Sequence, residues 1–143
     1  MNKRIWIAAL FVFATIFALT ISPTAQAKGG KECSNAMLEG TYGFYGVGTL
    51  VPAGTPFRSV GRFTFDGQGN WFNRFTQNDN GTIIHGTNSG TYTVNPDCTG
   101  NLFVEGQPIF DQVLVDGGKE FYSVRVDPAN RVLTAIGKKQ QEE

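Results

Sequence analysis

The feature that most limits the possible folds is the regular spacing of turn signals along residues 40–136. Short runs rich in Val, Phe, Tyr and Thr alternate with clusters of Gly, Asn, Asp and Pro, as at residues 66–70 and 78–81. Asn and Gly tolerate positive φ, so such clusters favour tight hairpin turns. No apolar stripe with the helical period continues for three turns. The pattern predicts an all-β chain.

The strands are predicted from the segments between these turns, and they number eight or nine. They cover residues 40–50, 57–65, 70–77, 82–87, 90–94, 101–105, 109–115, 120–126 and 131–136. In the second of them, Phe57, Phe63 and Phe65 share one face, as in a half-buried antiparallel strand. A meander of this many strands removes its exposed edges best by closing. The predicted fold is an antiparallel up-and-down β-barrel of about eight strands, with a β-sandwich as the alternative.

Residues 1–27 have the pattern of a signal peptide. Lys3 and Arg4 precede an apolar run at residues 5–21, and Ala25 and Ala27 form a small-x-small cleavage site. An uncleaved membrane anchor is the alternative, since the run is at the lower limit for spanning a bilayer. We expect export to the periplasm or the medium, with no membrane attachment after cleavage. The mature chain is then a segment at 28–39, a barrel at 40–137 and a polar tail at 138–143.

The chain contains only two cysteines, Cys33 and Cys98. In an oxidising compartment two cysteines most simply pair with each other, and their separation excludes a Cys-x-x-Cys redox site. A free thiol is the less favoured alternative. We predict a structural disulfide that holds residues 28–39 to a turn in the middle of the chain.

Charge and histidine content exclude several classes of function. Twelve basic residues balance twelve acidic ones, so no basic surface is predicted for nucleic acid. A single histidine, His85, excludes zinc sites that need two or more imidazoles. The turns at residues 66–70 and 78–81 resemble fragments of oxygen-rich Ca²⁺ loops, but hairpin turns explain them without an ion, so calcium is only the less favoured alternative. No cofactor, metal site or catalytic residue is therefore predicted.

Three sequence runs carry a resemblance to a known group of proteins. They are LEGTYGF at residues 38–44, GRFTFDGQGN at 61–70 and SGTYTVNPDCTG at 89–100. With Cys33, they resemble small exported bacterial proteins that are similar to calycin-type or allene-oxide-cyclase-like β-barrels. The resemblance implies a barrel fold but no activity, because its motifs are turns and a disulfide. The Gly-x-Trp signature of lipocalins is absent near the N-terminus, so no lipocalin ligand residues are carried over.

The strands contain more aromatic residues than a small barrel needs if all of them face one way. An aromatic barrel mouth with a few polar anchors suits a small hydrophobic or amphipathic ligand. The alternative is that the barrel fills itself with Phe and has no cavity. The candidate ligand-binding residues are Trp71, Phe75, His85, Tyr92, Asp111 and Arg125.

The interpretation that follows is a non-catalytic binding module for such a ligand. A second hypothesis is a cyclase-like or dirigent-like enzyme that acts by pocket shape, which a cluster of His85 with Asp111 or Glu105 inside the barrel would favour. A third is a structural or surface-interaction protein, which a self-associating sheet edge or an exposed apolar patch would mark. The oligomeric state and the inward face of each strand stay open.

Overall fold

A computed structural model describes residues 32–127 and 130–141 of the 143-residue chain. It contains eight strands: β1 (Gly40–Leu50), β2 (Thr55–Phe65), β3 (Asn70–Asp79), β4 (Thr82–Val94), β5 (Thr99–Val104), β6 (Gln107–Val115), β7 (Glu120–Arg125) and β8 (Arg131–Lys139). Two short 3-10 helices, Asn35–Leu38 and Asp116–Gly118, are the other regular elements of these residues. The all-β prediction is confirmed. The predicted signal peptide at residues 1–27 lies outside the described residues.

The strands form one closed barrel in which each strand pairs antiparallel with the next in sequence. The barrel is closed by β1 and β8, which pair from Tyr42 opposite Lys139 to Leu50 opposite Arg131. This up-and-down connectivity confirms the predicted barrel and excludes the two-sheet sandwich. Closure satisfies the backbone groups that the first and last strands would otherwise expose.

Most strand ends lie within two residues of the predicted ones, and the larger differences are in β4 and β8. Asn88 and Ser89 were expected to separate two strands, but they pair with Asn73 and Phe72 inside the continuous β4. The long, regular β3 overrides the local turn preference of these residues. At the C-terminal end of the barrel, β8 continues to Lys139, three residues beyond the predicted end of this strand at residue 136.

One end of the barrel is closed by a tightly packed aromatic core and by residues 32–39, the described part of the N-terminal segment. The side chains of Leu38, Tyr42, Phe65 and Phe121 are at most 1% exposed. Cys33 forms a disulfide with Cys98, with a Cα–Cα distance of 5.0 Å, as the sequence predicts. This bridge fixes the Asn35–Leu38 helix over the barrel end. Disulfides are typical of compartments outside the cytoplasm.

The inward-facing glycines are covered by aromatic rings from the neighbouring strand. An added Cβ would lie 2.4 Å from the Phe57 ring at Gly48 and 2.2 Å from the Phe121 ring at Gly137. The same arrangement occurs at Gly61, Gly86 and Gly90, which face Phe44, Phe75 and Trp71. A glycine beneath each ring lets strongly coiled strands approach one another closely. The glycines at these inward positions therefore have a specific packing reason.

The turn between β2 and β3 is held by Asp66. Its carboxylate accepts hydrogen bonds from the backbone N–H groups of Gln68, Gly69 and Asn70, at 2.8 to 3.0 Å. The Asn70 side-chain amide donates a further bond to Oδ2. These bonds lower the pKa of Asp66 to about 2, since they favour the charged carboxylate. The turn needs no ion to order its oxygen-rich residues.

Among residues 32–127 and 130–141, no helix has the length and hydrophobicity that crossing a bilayer requires.

Candidate functional site

A cavity of about 610 Å³ occupies the barrel interior towards the end opposite the N-terminal segment. Volumes of roughly 300–1,000 Å³ are typical of sites for small organic ligands. The base of the cavity is formed by large apolar side chains: Phe44, Phe63, Trp71, Leu102 and Phe121. The barrel is therefore filled at one end and hollow at the other, so the alternative of a completely filled interior does not hold.

The hollow half results from a row of small inward residues. Ser123, Ala135, Gly46 and Ser59 are direct neighbours across the four consecutive strands β7, β8, β1 and β2. Three of them, Ser59, Ser123 and Ala135, line the cavity. Because close packing would need large side chains at these positions, the row leaves space above the aromatic base.

The cavity opens beside the hairpin that joins β5 and β6. Gln107 and Pro108 of this hairpin line the cavity and are exposed, as is Asn88 of β4. β5 pairs with β4 only from Thr91 to Val94, so the barrel wall is incomplete beyond that point. The described residues therefore leave a gap in the wall between β4 and the β5–β6 hairpin.

Two charged residues of the cavity mouth form a tight ion pair. Arg125 donates from Nε to Asp127 Oδ1 at 2.5 Å and from Nη2 to Oδ2 at 2.8 Å. The Arg125 guanidinium lies 5.9 Å from the centroid of the Phe110 ring. Hydrogen bonding to Arg125 and the positive charges of Arg125 and Arg131 hold the pKa of Asp127 below its usual value, against the opposite effect of burial. Because two parallel hydrogen bonds join the guanidinium to the Asp127 carboxylate, the charge of Arg125 is largely neutralised within the cavity.

A second guanidinium at the mouth, that of Arg131, forms no ion pair with a carboxylate of the described residues. Its Nη1 donates to Gln77 Oε1 at 3.0 Å, and its carbon Cζ lies 5.6 Å from the Phe57 ring centroid. The Gln77 amide in turn donates to Asp79 Oδ1. Nε of Arg131 is buried, and no described residue accepts a hydrogen bond from it. Of the charged side chains that line the cavity, two are positive and one is negative.

Buried polar side chains continue from the mouth into the interior. Ser59, Asn73 and Gln77 line the cavity and are at most 6% exposed. The Oδ1 atom of Asn73 has no hydrogen-bond partner among the described residues. A buried polar atom without a partner costs about 1–3 kcal/mol, so a ligand that satisfies it gains affinity.

Three of the six candidate ligand-binding residues line the cavity: Trp71, Phe75 and Arg125. Tyr92 lies beside the closed end, where its hydroxyl donates to the carbonyl of Asn35 at 2.9 Å. Burial raises the pKa of Tyr92 to about 12, so the hydroxyl keeps its proton for this bond. Its position supports the N-terminal segment rather than the cavity.

The other two candidates, His85 and Asp111, lie on the outer surface. Successive residues of a strand face opposite sides, and the inward positions next to them belong to Gly86 and Gln112. His85 contacts Thr76 through Nδ1 at 3.0 Å, and Asp111 accepts from Asn101 at 2.7 Å. The acid–base cluster that the enzyme hypothesis would use inside the barrel is therefore not formed by these residues. No group of three or more His, Cys, Asp or Glu side chains suited to a metal occurs in the described parts of the chain.

Three residues that line the cavity were not among the predicted ligand-binding residues: Arg131, Gln77 and Ser59. Arg131 is the first residue of β8, and its inward position follows from alternation with the buried Leu133 and Ala135. The same alternation places Gln77 with Trp71 and Asn73 on β3. A polar residue at an inward position of a strand is the sequence feature that marks such residues. It can be recognised only when the inward face of the strand is known.

No protein-family model matches the chain, and no curated protein has significant sequence similarity to it. The cavity itself is therefore the basis for a functional conclusion.

Proposed function

We propose that the protein is a non-catalytic binding module that holds a small amphipathic molecule inside the barrel. The observation that carries this proposal is the combination of an aromatic cavity base with buried polar groups at its mouth. Apolar surface supplies affinity in such sites, and a few polar groups fix the orientation of the ligand. The apolar part of the ligand lies against Phe63, Trp71 and Phe121, and its polar end lies towards Arg131.

An anionic polar end suits this mouth best. Arg125 is neutralised by Asp127, whereas the guanidinium of Arg131 makes its described hydrogen bond to the uncharged Gln77. The Nε–Nη2 edge of a guanidinium donates two parallel hydrogen bonds to a carboxylate or sulfonate. Arg125 uses this edge for Asp127, whereas the buried Nε of Arg131 has no acceptor among the described residues and can donate to an anionic ligand.

Filling the cavity is expected to abolish binding of an amphipathic probe. Ser59→Phe places a ring among the small residues of the cavity wall, so the affinity for anilinonaphthalene sulfonate should fall at least about tenfold. Fluorescence titration measures the affinity, and thermal unfolding checks that the variant is folded. The matched control is Val60→Phe, because Val60 is the next residue of β2 and is 52% exposed on the outer surface. Equal probe binding in the two variants would contradict the proposal. So would a wild-type protein that binds neither this probe nor any member of a wider panel of amphiphiles.

Removing the charge of Arg131 is expected to weaken anionic ligands selectively. In Arg131→Met, the affinity for anilinonaphthalene sulfonate should fall about tenfold, while that for the uncharged N-phenylnaphthylamine should change little. The two probes share their ring system, so their ratio isolates the charge. An unchanged ratio in fluorescence titrations would show that Arg131 does not meet the polar end, even where the cavity itself binds both probes.

A further inference from the structure

Most of one edge of β4 has no partner strand among the described residues. β4 pairs with β3 along Thr82–Thr91, but its opposite edge pairs with β5 only from Thr91 to Val94. Within residues 32–127 and 130–141, no strand therefore pairs with residues 82–90 on the β5 side. These residues are exposed, except for Gly86 and Gly90, which are half-buried. The closed barrel thus carries a free strand edge next to the mouth of its cavity.

The register shows which backbone groups this edge offers. The N–H of Tyr92 donates to the carbonyl of Gly69 at 2.8 Å, on the β3 side of the strand. In an antiparallel ladder, backbone groups alternate between the two sides of a strand. The N–H and C=O groups that point away from β3 are therefore those of Ile83, His85, Thr87 and Ser89. They form a regular row of donors and acceptors.

The edge has none of the features that normally prevent strand addition. Proteins protect free edges with charged side chains, proline, bulges or a covering element. Residues 82–90 contain no Lys, Arg, Asp, Glu or Pro, and no bulge interrupts their pairing with β3. Ile83 is 54% exposed and Ile84 is 40% exposed. An unprotected edge with exposed apolar side chains is suited to a partner strand.

We propose that this partner is the same edge of a second copy of the chain, in a two-fold symmetric dimer. Antiparallel pairing about Gly86 would place His85 opposite the partner's Thr87, and Ile83 opposite the partner's Ser89. Each of these pairs exchanges backbone hydrogen bonds from the free row. Two-fold dimers are the commonest symmetric assemblies, since one self-complementary patch suffices.

Two properties of the strand favour pairing with itself over pairing with a charged peptide. The strand has no formal charge when His85 is neutral, so two copies bring no like charges together at the axis. Gly86, the residue on the axis, has no side chain, and its inward space is already filled by the Phe75 ring, 2.5 Å from where a Cβ would be. The two backbones can therefore approach to the distance of a normal strand pair.

The test is the mass of the purified protein in light scattering coupled to size-exclusion chromatography, across a dilution series. The wild type should have twice the protomer mass at high concentration. Thr87→Pro removes one of the free N–H donors, so the variant should be a monomer at every concentration. The barrel should still fold, because the β3–β4 ladder does not use that N–H. Thr87→Lys, which places a charge on the edge, should also be monomeric.

The matched control is Thr134→Lys on β8, an exposed outward threonine in a strand that is paired on both sides. This variant should dimerise like the wild type. Circular dichroism checks that the Thr87 variants are folded, and Thr87→Lys decides the outcome if Thr87→Pro is not. A wild type that is monomeric throughout the series, including one that binds an extended peptide at this edge, overturns the proposal. So does a folded Thr87→Lys variant that dimerises as strongly as the wild type.

Discussion

Replacement of Phe65 by alanine is expected to lower the free energy of unfolding by about 3–5 kcal/mol, the usual range for a buried aromatic ring. Phe65 is 1% exposed and lies at the centre of the closed end. Its ring makes edge contacts with Tyr42 and Tyr92, at centroid distances of 5.5 and 5.1 Å. The substitution leaves a cavity between strands β1, β2, β4 and β7. Hydrogen bonding between neighbouring strands of the closed barrel keeps them from moving inward to fill it.

Urea unfolding followed by tryptophan fluorescence measures this loss. Phe72→Ala is the matched control, because Phe72 is 46% exposed on the outer surface. It should lose less than about 1 kcal/mol, as expected for a side chain that leaves no internal cavity. If Phe65→Ala is not folded, Phe65→Leu should show a smaller loss in the same direction. Equal losses at positions 65 and 72 would contradict the assignment of this core.

Removal of the disulfide is expected to lower the free energy of unfolding by up to about 4 kcal/mol. Cys33 and Cys98 are separated by 65 residues, so the bridge removes much of the conformational freedom of the unfolded chain. It also holds the segment that places Leu38 in the core and lets the Asn35 side chain accept from the backbone N–H of Val94 at 2.7 Å. The double variant Cys33→Ser/Cys98→Ser should therefore unfold at a lower urea concentration.

The control for this prediction is the wild type under reducing conditions. Reduction and double substitution should give the same loss, since both remove only the crosslink. The double variant itself should not respond to reductant. A double variant as stable as the oxidised wild type would show that the N-terminal segment is held by its noncovalent contacts alone.

The sequence predicted most of the fold because the relevant signals are local. The turn at residues 66–70 is ordered by Asp66, which accepts hydrogen bonds from Gln68, Gly69 and Asn70, an interaction that depends on no other part of the chain. Strand alternation in β2 correctly grouped Phe57, Phe63 and Phe65 on the buried face. The break expected at residues 88–89 was wrong, because pairing with Asn73 and Phe72 outweighs the local preference for a turn.

The candidate site was less accessible to sequence reasoning. Each strand has two faces, and the inward one follows from register with neighbouring strands, so a shift of one residue exchanges the faces. His85 and Asp111 were selected for their chemistry, and both face outward. Arg131 has the same kind of side chain as the selected Arg125, but only its position at the start of β8 places it at the cavity mouth.

The sequence by itself determined the secondary structure class, the number of strands to within one, and the pairing of the two cysteines. Strand alternation and turn preferences depend only on residues close together in the sequence. With only two cysteines, the pairing follows without any knowledge of geometry. Only the tertiary structure decided that the barrel is hollow. The row formed by Ser59, Ser123, Ala135 and Gly46 comes from strands far apart in sequence, and barrel closure brings it together. Cavity, mouth charge and free edge all depend on neighbours that the chain acquires only on folding.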